Sequence, residues 1–113
     1  MKNIIKLFVI FFVIIIFIGC SNEPPAFRVS NERAEKANVQ IQTVKNTVNI
    51  NDIQPGQVTN FQEVPTGNVT VTAVIQSQSV SPANSFNADE DYNYTVAIAN
   101  TTPPTIRIDK SDK

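Results

Sequence analysis

Few residues in this chain have side chains that could perform chemistry, and they sort quickly. Its 113 residues contain no histidine and a single cysteine, Cys20. The absence of imidazole removes histidine-based triads, proton shuttles and the common zinc sites. A lone thiol cannot close an internal disulfide, and the three glycines, Gly19, Gly56 and Gly67, are too scattered to form a phosphate-cradling loop. Carboxylates remain. Asp89-Glu90-Asp91 concentrates negative charge, and Asp89 and Asp91 are the weak candidates for a hard cation such as calcium, which takes oxygen ligands. An extended chain points Glu90 away from both, and a run of charges is expected to be a solvated turn. Asp52 and Glu63 are the remaining pair to weigh as a glycosidase-like acid pair, but nothing in the sequence sets them at the separation that chemistry needs. The residues therefore predict no enzyme, no cofactor and no metal.

Cys20 acquires a meaning from what precedes it. Residues 7–19 form an uncharged, almost wholly apolar run, with Lys2 and Lys6 before it. As a helix that run reaches only about 20 Å, short of a hydrocarbon core of about 30 Å. Its length fits the apolar region of a cleaved signal. Gly19 supplies the small residue before the cysteine, and Phe17 stands where leucine is usual. The segment resembles a bacterial lipoprotein signal peptide, and the resemblance implies that residues 1–19 are removed and that Cys20 carries the lipid. A thioether-linked diacylglycerol and an amide-linked acyl chain would then give stable anchoring, which one chain cannot.

Beyond the leader lie the elements that must position any site. Residues 20–25 are expected as the lipidated cysteine and an extended tether, because Pro24-Pro25 favours extended backbone. Residues 26–110 read as one small domain and 111–113 as a C-terminal tail. Of nine basic and ten acidic residues, Lys2 and Lys6 belong to the leader, so the remainder is mildly acidic. That balance recommends neither nucleic acid nor an anionic lipid surface as partner.

Within the domain, apolar and polar residues alternate at Val39-Gln40-Ile41-Gln42, Val48-Asn49-Ile50-Asn51 and Val69-Thr70-Val71-Thr72-Ala73, the period of a half-buried strand. Tyr92, Tyr94, Val96 and Ile98 share one face of a further strand, and Ile106 and Ile108 one face of the last. Gln54-Pro55-Gly56-Gln57 carries the type II turn preference, and Pro65-Thr66-Gly67-Asn68 marks a second reversal. Residues 77–87 lack clean alternation and are expected as a long loop, with Phe86 tucked inward or helping an edge. Residues 31–37 could add a helical turn. Thr101-Thr102-Pro103-Pro104 makes the final strand an edge or a sheet-switcher. The expected fold is all-β: a small antiparallel β-sandwich, immunoglobulin-like or of a similar two-layer topology, with about seven strands. Phe27, Phe61 and Tyr94 are assigned to its core, and Tyr92 is the better candidate for an exposed aromatic.

The order of segments resembles the bacterial exported domains of the domain-of-unknown-function family 4397. Phe27-Arg28-Val29-Ser30 fits the family's opening strand and Ala37-Asn38-Val39-Gln40-Ile41 its second element. Phe61-Gln62-Glu63-Val64-Pro65-Thr66-Gly67 fits its Tyr-x-x-Val-Pro-x-Gly turn, and Tyr94-Thr95-Val96-Ala97 its late strand. The His-Ala-Ser-Pro stretch common in the family's first loop is replaced by Ser30-Asn31-Glu32-Arg33. The resemblance implies an exported β-sandwich, often tethered to the envelope, and carries no catalytic signature.

These readings together predict a non-enzymatic lipoprotein of the bacterial cell envelope, held at the membrane through its N-terminal lipid. Ser21 after the cysteine suits outer-membrane sorting where an outer membrane exists. Its function is expected to be binding or adhesion, with a protein or glycan ligand met by the loops at residues 31–37 and 77–87. The alternative is a structural or assembly role through an edge strand, with Tyr92, Ile106 and Ile108 as candidate partner contacts.

Overall fold

The computed structural model describes residues 22–113, so Cys20 and the leader lie outside the described residues. Eight strands run in chain order: β1 (Ala26–Asn31), β2 (Ala37–Gln42), β3 (Thr47–Ile53), β4 (Gln62–Glu63), β5 (Gly67–Ile75), β6 (Ala83–Ala88), β7 (Tyr92–Ala99) and β8 (Thr105–Asp112). They form two four-stranded sheets, β4-β1-β7-β8 and β3-β2-β5-β6. Among the described residues there is no helix, so the expected turn of helix at 31–37 is absent.

Alternation builds the two layers. In β2, Ala37, Val39 and Ile41 are buried while Asn38, Gln40 and Gln42 are exposed, and in β5 Val69, Val71, Ala73 and Ile75 are buried. These side chains meet Phe27 and Val29 of β1 and Tyr94, Val96 and Ile98 of β7 in a single core between the sheets. Burying the larger of these side chains contributes about 1.5–3 kcal/mol apiece, and no disulfide is required.

Every neighbouring pair is antiparallel except one. β1 runs parallel to β7, with Phe27 opposite Tyr94 and Val29 opposite Val96. A parallel pair needs a long connection, and here most of the chain supplies it. The expected turn at Gln54–Gln57 forms, with Gln57 N–H donating to the Gln54 carbonyl at 3.0 Å and Gly56 at φ 78°, as a type II turn demands of its third residue.

Three expectations need correction. The stretch 77–87 is not loop throughout, because β6 pairs along β5 from Gly67–Ala88 to Thr72–Ala83. Its inward side chains are Ala88 and Phe86, whose ring lies 4.6 Å from that of Tyr94, while the other positions are small or polar and hide the alternation. Phe61 is not core: it is 44% exposed, with the Arg28 guanidinium 4.7 Å from its ring centroid. It precedes a strand of only two residues, which is too short to carry it beneath a sheet. Tyr92 is half-buried against the core rather than an exposed platform, and Lys110 Nζ sits 4.0 Å from its ring centroid.

Candidate binding surface

The described chain begins at one end of the sandwich. Glu23 N–H donates to Asp91 Oδ1 at 2.9 Å and Asp91 N–H donates back to the Glu23 carbonyl at 2.9 Å. Val64 N–H donates to the Pro25 carbonyl, and Lys113 Nζ reaches Glu23 at 3.7 Å. The Asp89–Asp91 turn therefore spends its polar groups on the tether and the neighbouring strands. Asp89 accepts from Asn87 at 2.8 Å and from Lys110 at 3.3 Å, and Glu90 accepts from Asn22 at 3.0 Å. The Asp89 and Asp91 carboxylates are bonded to different partners, and among the described residues no group of three or more acidic or thiol side chains is placed to hold a metal. Asp91 takes φ 70°, a conformation that aspartate tolerates better than most residues.

Behind this turn stands Tyr94. Its hydroxyl accepts from Asp89 N–H at 2.9 Å and donates to the Asn87 carbonyl at 3.2 Å. This ties β7 to the connection that precedes it, in the manner of a tyrosine corner.

From this end β1 carries the chain to the far end, where residues 31–37 meet Gln76 and Gln78. They do not form a free loop. Asn31 is wholly buried: its Nδ2 donates to the carbonyls of Glu35 at 2.8 Å and Ile53 at 3.1 Å, and its Oδ1 accepts from Arg33 N–H at 3.0 Å. Arg33, 7% exposed, donates to Glu35 Oε1 at 3.0 Å and to the carbonyls of Ala99 and Thr101 at 2.9 and 3.0 Å. Gln78 Nε2 donates to Glu35 Oε2 at 2.8 Å. The Gln78 hydrogen bond is the largest effect holding the Glu35 carboxyl below its ordinary range; burial, the next in size, opposes it, and the hydrogen bond and charge of Arg33 add to the lowering. A buried arginine with its donors engaged is a structural clasp rather than a ligand hook.

The contacts expected on β8 also lie elsewhere. Ile106 is 6% exposed and belongs to the core, and Ile108 is half-buried against it. Their strand is an edge, as expected, but the Ile106 carbonyl already accepts from Asn84 Nδ2 of β6 at 2.9 Å. As side-chain contacts for a partner, Tyr92, Ile106 and Ile108 are corrected to core packing. The cause is register: the apolar face of β7 pairs Ile98 with Ile106 and Val96 with Ile108, and both sides of each pair turn inward.

What the structure leaves open to solvent in a coherent array is the outer face of the second sheet. Two rows cross it at the strand spacing of about 4.8 Å. One runs Asn49, Gln40, Thr72, Ala83 and the next Thr47, Gln42, Thr70, Ser85. Asn51, Asn38 and Val74 extend it toward the far end, and Asn68 and Asn87 toward the near end. None of these side chains is charged; Lys36 and Asp52, of opposite sign, stand at the far end beside Asn38 and Val74. Val74 is the one large apolar side chain of the face, 56% exposed. A shallow groove of about 230 Å³ crosses it, lined by Asn38, Gln40, Asn49, Asn51, Thr72 and Val74. Lys36 and Asp52 border an adjoining hollow of about 170 Å³ at its far end. Thr70 bonds Ser85 at 3.1 Å, and Asn38 Oδ1 accepts from Asp52 N–H at 2.8 Å. By contrast, no hydrogen bond among the described residues engages the side chains of Gln40, Gln42, Asn49 or Asn51.

The sequence holds one signal for this face that alternation alone does not reveal. Between Glu63 and Asp89 there is no charged residue, although the outward positions of β5 and β6 other than Val74 and Ala83 are polar. A solvated strand face usually carries lysine or glutamate, so uniform amides and hydroxyls are the anomaly.

No protein-family model matches this chain, and no curated protein matches it.

Proposed function

We propose that this protein is a non-enzymatic, lipid-anchored binding or adhesion module of the bacterial cell envelope, an exported β-sandwich of the kind that the domain-of-unknown-function family 4397 comprises. The lipid is carried by Cys20, whose place after an apolar run and Gly19 supports the anchor. The observation that carries the binding reading is the charge-free amide and hydroxyl face of the second sheet. Arg33, Glu35 and the Tyr94 hydroxyl are engaged within the fold, whereas the amides of that face are turned to solvent.

The docked tether supports an orientation as well. Glu23 is fixed to Asp91, and three residues of extended chain reach only about 10 Å, so a lipid on Cys20 holds the β6–β7 end against the bilayer. The second-sheet face then stands along the membrane normal, and the 31–37 end points away. A role through edge pairing of β8 is the weaker reading, because Asn84 occupies the Ile106 carbonyl.

Metabolic labelling with a fatty-acid analogue tests the anchor: wild type incorporates label and Cys20→Ser does not. Protease treatment of intact cells tests the display. Digestion of the domain supports a binding role at the surface, and protection of the folded domain in unbroken cells overturns it.

A further inference from the structure

The geometry points to a neutral, hydroxyl-rich polysaccharide as the ligand of the second-sheet face, an inference that rests on the binding reading above. Charge decides first among ligand classes. Nucleic acid requires several lysines and arginines against its phosphates, and the rows of this face carry none; Lys36 at the far end is matched by Asp52 beside it. Acidic or basic polymers would find no counter-charge along the rows and only the opposite pair Lys36 and Asp52 at one end. Protein interfaces draw most of their affinity from aromatic and arginine anchors in a desolvated centre, and the centre here is Gln40 between Asn49 and Thr72.

A neutral glycan has the opposite requirements. Its hydroxyls both donate and accept, and so do primary amides and threonine hydroxyls. The row Asn49, Gln40, Thr72 offers such groups at regular spacing across three strands. Gln40 and Asn49 have no protein partner to give up on binding, so a sugar replaces water alone. Val74, exposed beside Asn38, gives an apolar spot for the C–H face of a sugar ring. No aromatic ring stacks on this face, so each contact is weak. Affinity must come from repetition along a polymer and from many anchored copies, as effective concentration allows.

The test is native affinity electrophoresis of the full chain, solubilised in detergent, through gels containing amylose, a β-1,3-glucan, galactomannan or, as the charged counterpart, polygalacturonate. Retardation by at least one neutral polymer and none by polygalacturonate is expected. Gln40→Glu, an outward substitution that leaves the core intact, should weaken retardation by about fivefold, the worth of about one hydrogen bond. Lys45→Gln, at the β2–β3 hairpin tip, should leave it unchanged. Passage of the wild type through all three neutral gels without delay, or retardation that Gln40→Glu does not alter, overturns the inference. So does a dimer that sediments in polymer-free solution and reverts to monomer in Gln40→Glu, which would make this face a self-association surface. Fatty-acid labelling and cell-surface proteolysis read the anchored module separately, so a glycan failure with those results intact removes only the ligand class.

Discussion

Asn31 Nδ2 donates to the Ile53 carbonyl at 3.1 Å, and with that bond the last residue of β1 in one sheet is joined to the last residue of β3 in the other. Asn84 to the Ile106 carbonyl and Tyr94 to the Asn87 carbonyl also cross between the sheets, but most of what holds the sheets together is apolar packing, which is non-directional. A buried amide with each partner in place fixes their relative position at the far end.

Replacing Asn31 with Leu should therefore cost about 3 kcal/mol. The Ile53 and Glu35 carbonyls and the Arg33 N–H lose their partner together, and unsatisfied buried groups cost about 1–3 kcal/mol each when solvent cannot reach them. Urea denaturation should show a lower midpoint with an unchanged slope. A loss under about 0.5 kcal/mol would mean that the far end relaxes to admit water.

Tyr94→Phe isolates the corner from the core. The ring stays against Phe86, but the Asp89 N–H and the Asn87 carbonyl lose the hydroxyl. A loss of about 1–2 kcal/mol is expected, well below the roughly 3–5 kcal/mol of Phe27→Ala in the same core. Equal losses in the two variants would show that the hydroxyl, not the ring, dominates at Tyr94.

Glu35 should shape the acid limb of stability. Its carboxyl is held below the ordinary value of 4.5 because Gln78 and Arg33 favour the ionised form in the folded chain. A lowered folded value means that the stabilisation is fully present above about pH 4.5 and is lost as pH falls through the folded value. Glu35→Gln should be less stable than wild type at pH 7, and the gap should narrow below pH 4.5. A gap independent of pH would assign the loss to packing rather than charge.

The two turn glycines should differ. Gly56 sits at φ 78° with open space where a Cβ would go, so Gly56→Ala should cost about 1 kcal/mol of backbone strain. Gly67 sits at φ 123°, farther from the left-handed well near 57°, and a Cβ there would stand 2.9 Å from Val44 Cγ1. Gly67→Ala should cost about 2 kcal/mol or more, some of it recovered if the exposed Val44 swings away. Thermal midpoints of the two variants give the order.

Much of this fold could be read from local pattern. Val39-Gln40-Ile41-Gln42 and Val69-Thr70-Val71-Thr72 state which side chains face inward, and Pro55-Gly56 states where the chain reverses, because alternation and φ preference are properties of adjacent residues. The need of a small domain to bury its aromatic residues placed Phe27 and Tyr94 in the core correctly and Phe61 wrongly. Pairing is a property of residues far apart. That β1 lies beside β7 in parallel, that β8 turns Ile106 into the core, and that Asn84 reaches its carbonyl could not be read from any one segment. Arg33 lay in a segment expected as a helical turn or binding loop, and only the fold brings the carbonyls of Ala99 and Thr101, more than sixty positions away, to its guanidinium. The outer face of the second sheet shows both limits at once. The sequence alone determined that each strand carries uncharged polar residues at alternate positions. Only the tertiary structure set β3, β2, β5 and β6 side by side, because hydrogen-bonded register between distant strands is what turns separate alternations into one continuous surface.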